Sequence, residues 1–294
     1  MKIMIAGNKG QLGSDSEKLL GTDHEVLGID LDELDITDLA AVQRMVKDFS
    51  PHVILNCAAY TLVDKCEAEQ ELAWNVNVIG PKNLALSVGK YGGRLIHIST
   101  DYIFDGRKEI PLPYVEEDAP NPINYYGITK NEGEKAVRHT LDRHMIVRTS
   151  WLYGFSGHNF LKTILKLALK NPEKEIRVVD DQYGTPTWSH GLARQIARLV
   201  GTEGKGTFHA TSEGHCTWYG LAGCFFEKMG VPHTMVPCSS EEYPTPAARP
   251  KNSILENRHL KEKKMNLMRH WQDDLDRFVS KFRDRLIDEA LSGV

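Results

Sequence analysis

Short apolar runs alternate with amphipathic stretches through the first half of the chain. Lys2–Ala6 is an apolar run of strand length that breaks into Gly7-Asn8-Lys9-Gly10-Gln11-Leu12-Gly13, after which Ser14–Leu20 reads as helix. Glu25–Ile29 predicts a second strand closed by Asp30, and Leu39–Phe49 a helix that either Thr37 or Asp38 would cap. Val53–Asn56 predicts an apolar third strand running into Cys57-Ala58-Ala59-Tyr60-Thr61. Glu67–Gly89 carries a long helical pattern, punctuated at Asn75-Val76-Asn77-Val78 and at Gly80-Pro81. Arg94–Ile98 and Met145–Thr149 read as the fourth and fifth strands. Between them a proline-bearing loop from Ile103 to Asn124 delivers a helix whose first turns hold Tyr126 and Lys130. Apolar strands separated by helical stretches predict βα units and a doubly wound parallel sheet, a Rossmann-type α/β fold.

Beyond Gly154 the alternation loses regularity. Residues 1–153 are expected to form a dinucleotide-binding domain that carries the reactive groups. Residues 154–294 are expected to form mainly a smaller mixed α/β substrate-binding lobe, with some segments returning to the first domain. Ser189–Val200 and Thr217–Met229 have amphipathic spacing, Asp180–Thr187 is rich in turn formers, and the charge of Trp271–Ser292 reads as a solvated helix face.

With 36 basic against 40 acidic residues and a net charge of -4, the chain has no electrostatic footprint for nucleic acid or an anionic membrane. Small-molecule chemistry is the class that remains. The five cysteines, Cys57, Cys66, Cys216, Cys224 and Cys238, form no Cys-x-x-Cys pair, which argues against a zinc site and for reduced thiols. His209, His215 and Cys216 lack metal-ligand spacing, so no metal is expected. The N-terminus lacks a secretory apolar core and no run reaches membrane-span length, so a cytoplasmic protein is expected.

The chemistry gathers at predicted strand ends, where a doubly wound sheet binds its ligands. Gly7, Gly10 and Gly13 let the chain bend and come close to a pyrophosphate at a helix N-terminus. Asp30 stands at the distance from them expected of an acid on the adenosine ribose, with Asp35 and Ile36 free to meet an adenine. Small residues at Ala58 and Ala59 leave room for a ligand. Tyr126 and Lys130, four residues apart, share one helix face, and an ammonium beside a phenol favours phenolate, making the pair a candidate acid–base device. Asn77 is either an active-site polar group or bonded to local backbone, Trp151 either core or the lining of a sugar or base site, and Arg249 either an anion clamp or an exposed cation.

Together these pieces resemble the extended short-chain dehydrogenase/reductase superfamily, whose catalytic set matches Thr100, Tyr126 and Lys130 here. A closer resemblance, to the dTDP-4-dehydrorhamnose reductase family, is carried by Gly10-Gln11-Leu12-Gly13, Leu34-Asp35-Ile36-Thr37-Asp38, Cys57-Ala58-Ala59-Tyr60-Thr61 with Val63-Asp64, and Ser99-Thr100-Asp101-Tyr102-Ile103-Phe104. It continues through Tyr126-Gly127, Arg148-Thr149-Ser150-Trp151-Leu152-Tyr153-Gly154, Asp181-Gln182-Tyr183-Gly184-Thr185-Pro186-Thr187 and Ala248-Arg249-Pro250. The departures are Cys66, where the family often has Ala, and a long terminal helix.

The resemblance implies reduction of the C4 keto group of a nucleotide-sugar by a nicotinamide cofactor, with Tyr126 as proton donor, Thr100 bonding the developing alkoxide and Lys130 holding the ribose. It places Gly7, Gly10, Gln11, Leu12, Gly13, Asp30, Asp35, Ile36, Ala58, Ala59, Tyr60, Thr61, Tyr126 and Lys130 around the cofactor. Thr100, Asp101, Tyr102, Trp151 and Arg249 would face the substrate. The family's Mg²⁺ at a dimer contact finds no matching carboxylate cluster, and a homodimer stays open. Asp30, followed by Asp32 and Glu33, favours NADH over NADPH while tolerating both. Related readings are another nucleotide-sugar epimerase or reductase, and a non-catalytic regulatory subunit similar to that of methionine adenosyltransferase.

Overall fold

The computed structural model describes residues 1–292. Five strands arise where the apolar runs stand: β1 (Lys2–Ala6), β2 (Glu25–Ile29), β3 (Val53–Asn56), β4 (Arg94–Thr100) and β5 (His144–Thr149). With the later strand Gly206–His209 they make one six-stranded sheet, ordered Gly206–His209, β5, β4, β3, β1, β2. Every neighbouring pair in it is parallel. Both faces are covered, which is why these strands are apolar on both sides. On one face α1 (Gln11–Leu20) and the helix Ser189–Val200 bury Leu12, Leu20, Leu192, Ile196 and Leu199. On the other, α2 (Leu39–Phe49) and the helices Gly80–Gly89 and Tyr125–Thr140 bury Val42, Val46, Leu84, Val88 and Val137. The fold is the doubly wound α/β class.

The helix caps follow local chemistry. Asp38 accepts from the amides of Ala40 and Ala41 and starts α2, so the cap is Asp38 rather than Thr37. Asn124 accepts from the Gly127 amide at 2.8 Å and starts the Tyr125–Thr140 helix one residue before Tyr126. The long helical pattern of Glu67–Gly89 resolves into a short helix, Gln70–Trp74, a π-helical turn, Asn75–Ile79, and the helix Gly80–Gly89, with a further short helix, Val63–Cys66, just ahead of it. The wide turn swings Asn77 inward.

The second hydrophobic core joins Tyr153, Leu161, Leu165, Trp188, Leu221, Phe225 and Phe226 to the terminal helix Trp271–Ser292. That helix was expected to present a solvated face. Instead Trp271, Leu275, Phe278, Val279, Leu286 and Ala290 fall on one stripe at helical spacing and are buried, together with Asp274, which accepts from the Ser212 hydroxyl, while most of its other charges stay exposed. The chain beyond residue 154 thus supplies this core and also sends Ser189–Val200 and Gly206–His209 back to the sheet. No helix among the described residues is long and apolar enough to cross a membrane.

Candidate active site

The carboxyl ends of β1, β3, β4 and β5 open into one cleft of about 710 Å³, the size that takes a small organic ligand. At its floor lies the glycine turn. Gly7 has a φ of +78°, and a side chain on Gly13 would come 2.1 Å from the Gly7 carbonyl, so the turn closes only with bare backbone at both positions. Gly7, Gly10, Gln11, Leu12 and Gly13 line the cleft where α1 begins, a cradle with no side chain between its amides and the space above. Ala59 and Thr61 form the neighbouring wall, and Thr100, Asp101, Tyr102, Tyr126, Lys130 and Trp151 the rest of what the sequence put forward.

The Thr100, Tyr126 and Lys130 side chains converge because β4 ends at Thr100 and the Tyr125–Thr140 helix passes beneath that end. All three are buried: Thr100 is 6 %, Tyr126 8 % and Lys130 2 % exposed. Lys130 donates to the Ile98 carbonyl at 2.7 Å. Burial brings its ammonium down to about 8, against a smaller upward pull from Glu134 one turn along. By sequence spacing alone this ammonium would draw the phenol's pKa down. The structure differs: burial raises the Tyr126 phenol, and the neighbouring Thr100 hydroxyl pulls back only part of that. The reason is geometric, since the Lys130 ammonium turns to the β4 backbone while the phenol sits among Tyr60, Cys66, Ala73 and Tyr102. Tyr126 is therefore a protonated phenol at neutral pH.

Two buried anchors hold the helix that carries the pair. Glu134 receives Arg148 of β5 through Nε at 2.9 Å and a second guanidinium nitrogen at 2.8 Å, and Arg138 at 2.6 Å, which keeps its carboxyl near 2 in spite of full burial. Asn77 accepts from the Tyr60 amide at 2.9 Å and donates to the Tyr60 carbonyl at 3.1 Å and to Thr129 Oγ1 at 3.0 Å. It is a clip between the β3 loop and the helix, not a local cap.

Six expected residues lie off the cleft wall. Asp30 accepts from the backbone amides of Lys9 at 3.1 Å and Leu31 at 2.8 Å. Asp35 accepts the amide and hydroxyl of Thr37, both at 2.8 Å. Ile36 was read as free for an adenine, but its side chain is 6 % exposed and packs against Gly80. Ala58 packs under Gly7, and the Tyr60 phenol is hydrogen-bonded to Glu69. Arg249 makes a two-pronged pair with Asp64, at 2.6 and 2.8 Å, and so ties the 247–250 segment to the helix after β3.

Trp151 holds a positive φ of +45°, rare for a large side chain, and its indole lies flat on Gly184, where any Cβ would clash. It stacks on Trp218, centroids 3.6 Å apart and planes 7° apart. Trp218 and Phe160 extend this aromatic wall into the cleft and were not anticipated. The one signal for Trp218 is its place directly after the capping Thr217.

Among the described residues Glu116, Glu117 and His259 bring metal-type atoms together. The imidazole is already engaged on both sides, Nδ1 with the Thr207 carbonyl at 2.7 Å and Nε2 with Glu117 at 2.6 Å. Burial lowers its pKa, but those two acceptors outweigh it and the net shift is upward. Arg258 faces the same Glu117 at 3.8 Å. The cluster is an ion-pair network built on an imidazolium.

Residues 1–284 match the family model of the RmlD substrate binding domain. A dTDP-4-dehydrorhamnose reductase of Streptomyces griseus is 39% identical over 277 residues, 92% of this chain and 90% of that protein. The crystal structure of a dTDP-4-dehydrorhamnose reductase from Clostridium acetobutylicum superposes with a TM-score of 0.92 at 42% identity, covering 96% of this chain and all (100%) of that one. A dTDP-4-dehydrorhamnose reductase from Bacillus anthracis in complex with NADP gives 0.92 at 39% identity, covering 95% and 99%.

Proposed function

The chain belongs to the family of the RmlD substrate binding domain, and on that premise we propose that it reduces the C4 keto group of dTDP-4-dehydro-L-rhamnose to dTDP-L-rhamnose with NADH or NADPH. The observation that carries the reading is the meeting of Thr100, Tyr126 and Lys130 in the same cleft as the glycine cradle. When bound, the reduced nicotinamide supplies the hydride. The cradle from Gly7 to Gly13, with Thr61 and Lys130, would hold the cofactor, the amides at the start of α1 meeting its pyrophosphate.

Tyr126 gives its phenol proton to the oxygen that develops charge. Burial keeps that proton on the phenol until a stronger base, the alkoxide, arrives. The buried Lys130 ammonium offsets negative charge in a region where desolvation makes an unpaired cation act strongly. The stacked indoles of Trp151 and Trp218 offer an apolar wall for the sugar or the base. Arg249, held by Asp64, would reach substrate phosphate only by exchanging that carboxylate.

The finer reading is that NADH is preferred and NADPH tolerated. Asp30 puts negative charge at the end of β2, where a 2′-phosphate would meet it, and the nearby Lys9 ammonium is already shared by Asp32 and Glu33. Those pairs are exposed and screened, so Lys9 can turn to a phosphate. The five free thiols fit a reducing cytosol.

The test is loss of reduced-nicotinamide absorbance with enzymatically generated 4-keto-6-deoxy sugar nucleotide, and identification of the product sugar. Stoichiometric cofactor oxidation with an L-rhamnose nucleotide as product is expected. No net oxidation, with cofactor released only by heating, would replace the reductase with an epimerase.

A further inference from the structure

Asp101 is the buried carboxyl of the site, and beyond facing the substrate it has no part in the proton transfer as described so far. It follows Thr100 on the turn after β4, is 2 % exposed, and lines the cleft. One of its oxygens accepts the Thr100 hydroxyl at 3.0 Å. The other is buried and makes no well-formed hydrogen bond among the described residues, although the Ser253 hydroxyl faces the carboxyl.

Thr100 Oγ1 has one hydrogen and two lone pairs. It accepts from the Tyr102 amide at 3.2 Å and gives its hydrogen to Asp101, and it stands beside the Tyr126 phenol, whose pKa it lowers. An ionised Asp101 has no hydrogen to give, so Thr100 must donate to it. The remaining Thr100 lone pair is then open to the phenol hydrogen and competes with the substrate for it. A protonated Asp101 reverses the chain: it donates to Thr100, Thr100 donates to the phenol oxygen, and the phenol hydrogen is released toward the cleft.

We propose that Asp101 is a positioning and proton-supplying residue for the reduction: its acid form aims the Tyr126 hydrogen at the substrate oxygen and replaces the proton that Tyr126 gives up. This rests on the reductase reading above. The atoms balance. The carbonyl carbon takes a hydride, and the reduced nicotinamide becomes the oxidised cofactor. The phenol O–H breaks as the O4–H bond forms. The Thr100 proton restores the phenol, the Asp101 proton restores Thr100, and the carboxylate left behind takes a proton from solvent once product leaves.

The surroundings suit a carboxyl that changes state near neutrality. Burial raises it to about 7, against the pull of the Ser253 and Thr100 hydroxyls and the amides of its own turn. Facing it are Tyr102 from that turn, Tyr126 from the helix, and Ser253 from the segment beyond residue 250. Arg249 stands further out over Tyr102, its charge matched by Asp64.

The experiment uses the full-length chain with cofactor and the keto-sugar nucleotide. In wild type, kcat should fall about tenfold per pH unit once Asp101 has ionised. Asp101→Asn keeps a donor toward Thr100 but has no acid proton. It should lose that limb and turn over roughly ten- to a hundredfold more slowly at about pH 6.5. Asp101→Glu should keep a limb. Infrared difference spectra of wild type minus Asp101→Asn, taken without substrate, should show a protonated-carboxyl band that titrates away between about pH 6 and about pH 8. A variant Asn enzyme that keeps the wild-type limb, or no such band, overturns the proposal. A band present in a wild-type protein that does not oxidise cofactor would instead overturn the reductase reading, since the band reports on Asp101 alone.

Discussion

Two lysines near the carboxyl ends of the sheet strands show what position does to the same ammonium. Lys9, in the glycine turn at the rim, has a side chain 52 % exposed and is held by Asp32 at 2.9 Å and Glu33 at 3.0 Å, hydrogen bonds that raise its pKa. Lys130, beneath the end of β4, is 2 % exposed, finds a carbonyl rather than a carboxylate, and is lowered to about 8 by desolvation. The two aspartates repeat the contrast: Asp30 takes backbone amides at the rim, and Asp101 is buried with one oxygen in no well-formed hydrogen bond. Charge at the rim is compensated, screened and exchangeable. In the cleft interior Lys130 and Asp101 are poised near neutrality, which is where proton chemistry at physiological pH needs them.

The interior should give the largest effects. Tyr126→Phe removes the buried acid and should lower kcat by roughly two to four orders of magnitude. Thermal unfolding and cofactor titration should be close to wild type, and a variant retaining a third of wild-type turnover would show that the phenol is not the donor.

Lys130→Met sharpens the comparison because function and stability should move oppositely. Turnover and cofactor affinity should each fall by about ten- to a hundredfold with the loss of the unpaired charge. The fold should gain. The pKa of this base is lower folded than unfolded, so the unfolded chain binds more protons between about 8 and the ordinary value of 10.5, and stability rises with pH across that window. Below it, the buried ammonium destabilises the native state in full. Methionine should therefore raise Tm by a few degrees at about pH 7, with the advantage shrinking toward about pH 10. A Tm lowered at all pH values would mean that the Ile98 hydrogen bond outweighs the buried charge.

At the rim, Asp30→Ala should shift the ratio of kcat/KM for NADH over NADPH by roughly tenfold toward NADPH. A steady-state comparison on the keto sugar reads this, and an unchanged ratio would place the ribose away from Asp30. Lys9→Ala should be the mildest change: less than about threefold in NADH affinity and about 1 °C or less in Tm, both fading with added salt. A large salt-independent loss would show that Lys9 belongs with the interior group.

Much of this plan was legible because it depends on local rules. Strand-length apolar runs, the three spaced glycines and Asn124 before a helical stretch each act within a few residues. From them follow the sheet, the turn and the helix that brings Tyr126 and Lys130 under Thr100. What stayed hidden depends on meetings across the chain. Arg249 and Asp64 pair over a separation of 185 residues, which removes Arg249 from the free cations. Trp218 reaches the cleft only because its helix packs the indole on Trp151. Ile36 looks like a loop residue until Gly80, across the sheet face, gives it a place to be buried. The direction of the Lys130 ammonium could not be read from spacing either, since helix periodicity sets the face and not the partner. The terminal helix is a different case: its buried stripe was present in the spacing of Trp271, Leu275, Phe278 and Leu286, and its charge concealed it.

The return of Gly206–His209 to the open edge of β5 bears on how such molecules can be recombined. The chain leaves the sheet after β5, builds part of the outer core, comes back to lay one helix and one strand on the sheet, and leaves again to complete that core. A fragment cut after β5 would keep the glycine cradle and Tyr126. It would also present β5 as a bare edge and uncover the apolar face that Leu192, Ile196 and Leu199 seal. Grafting another lobe onto this sheet would thus take several splice points, with the Ser189–His209 stretch retained by the recipient.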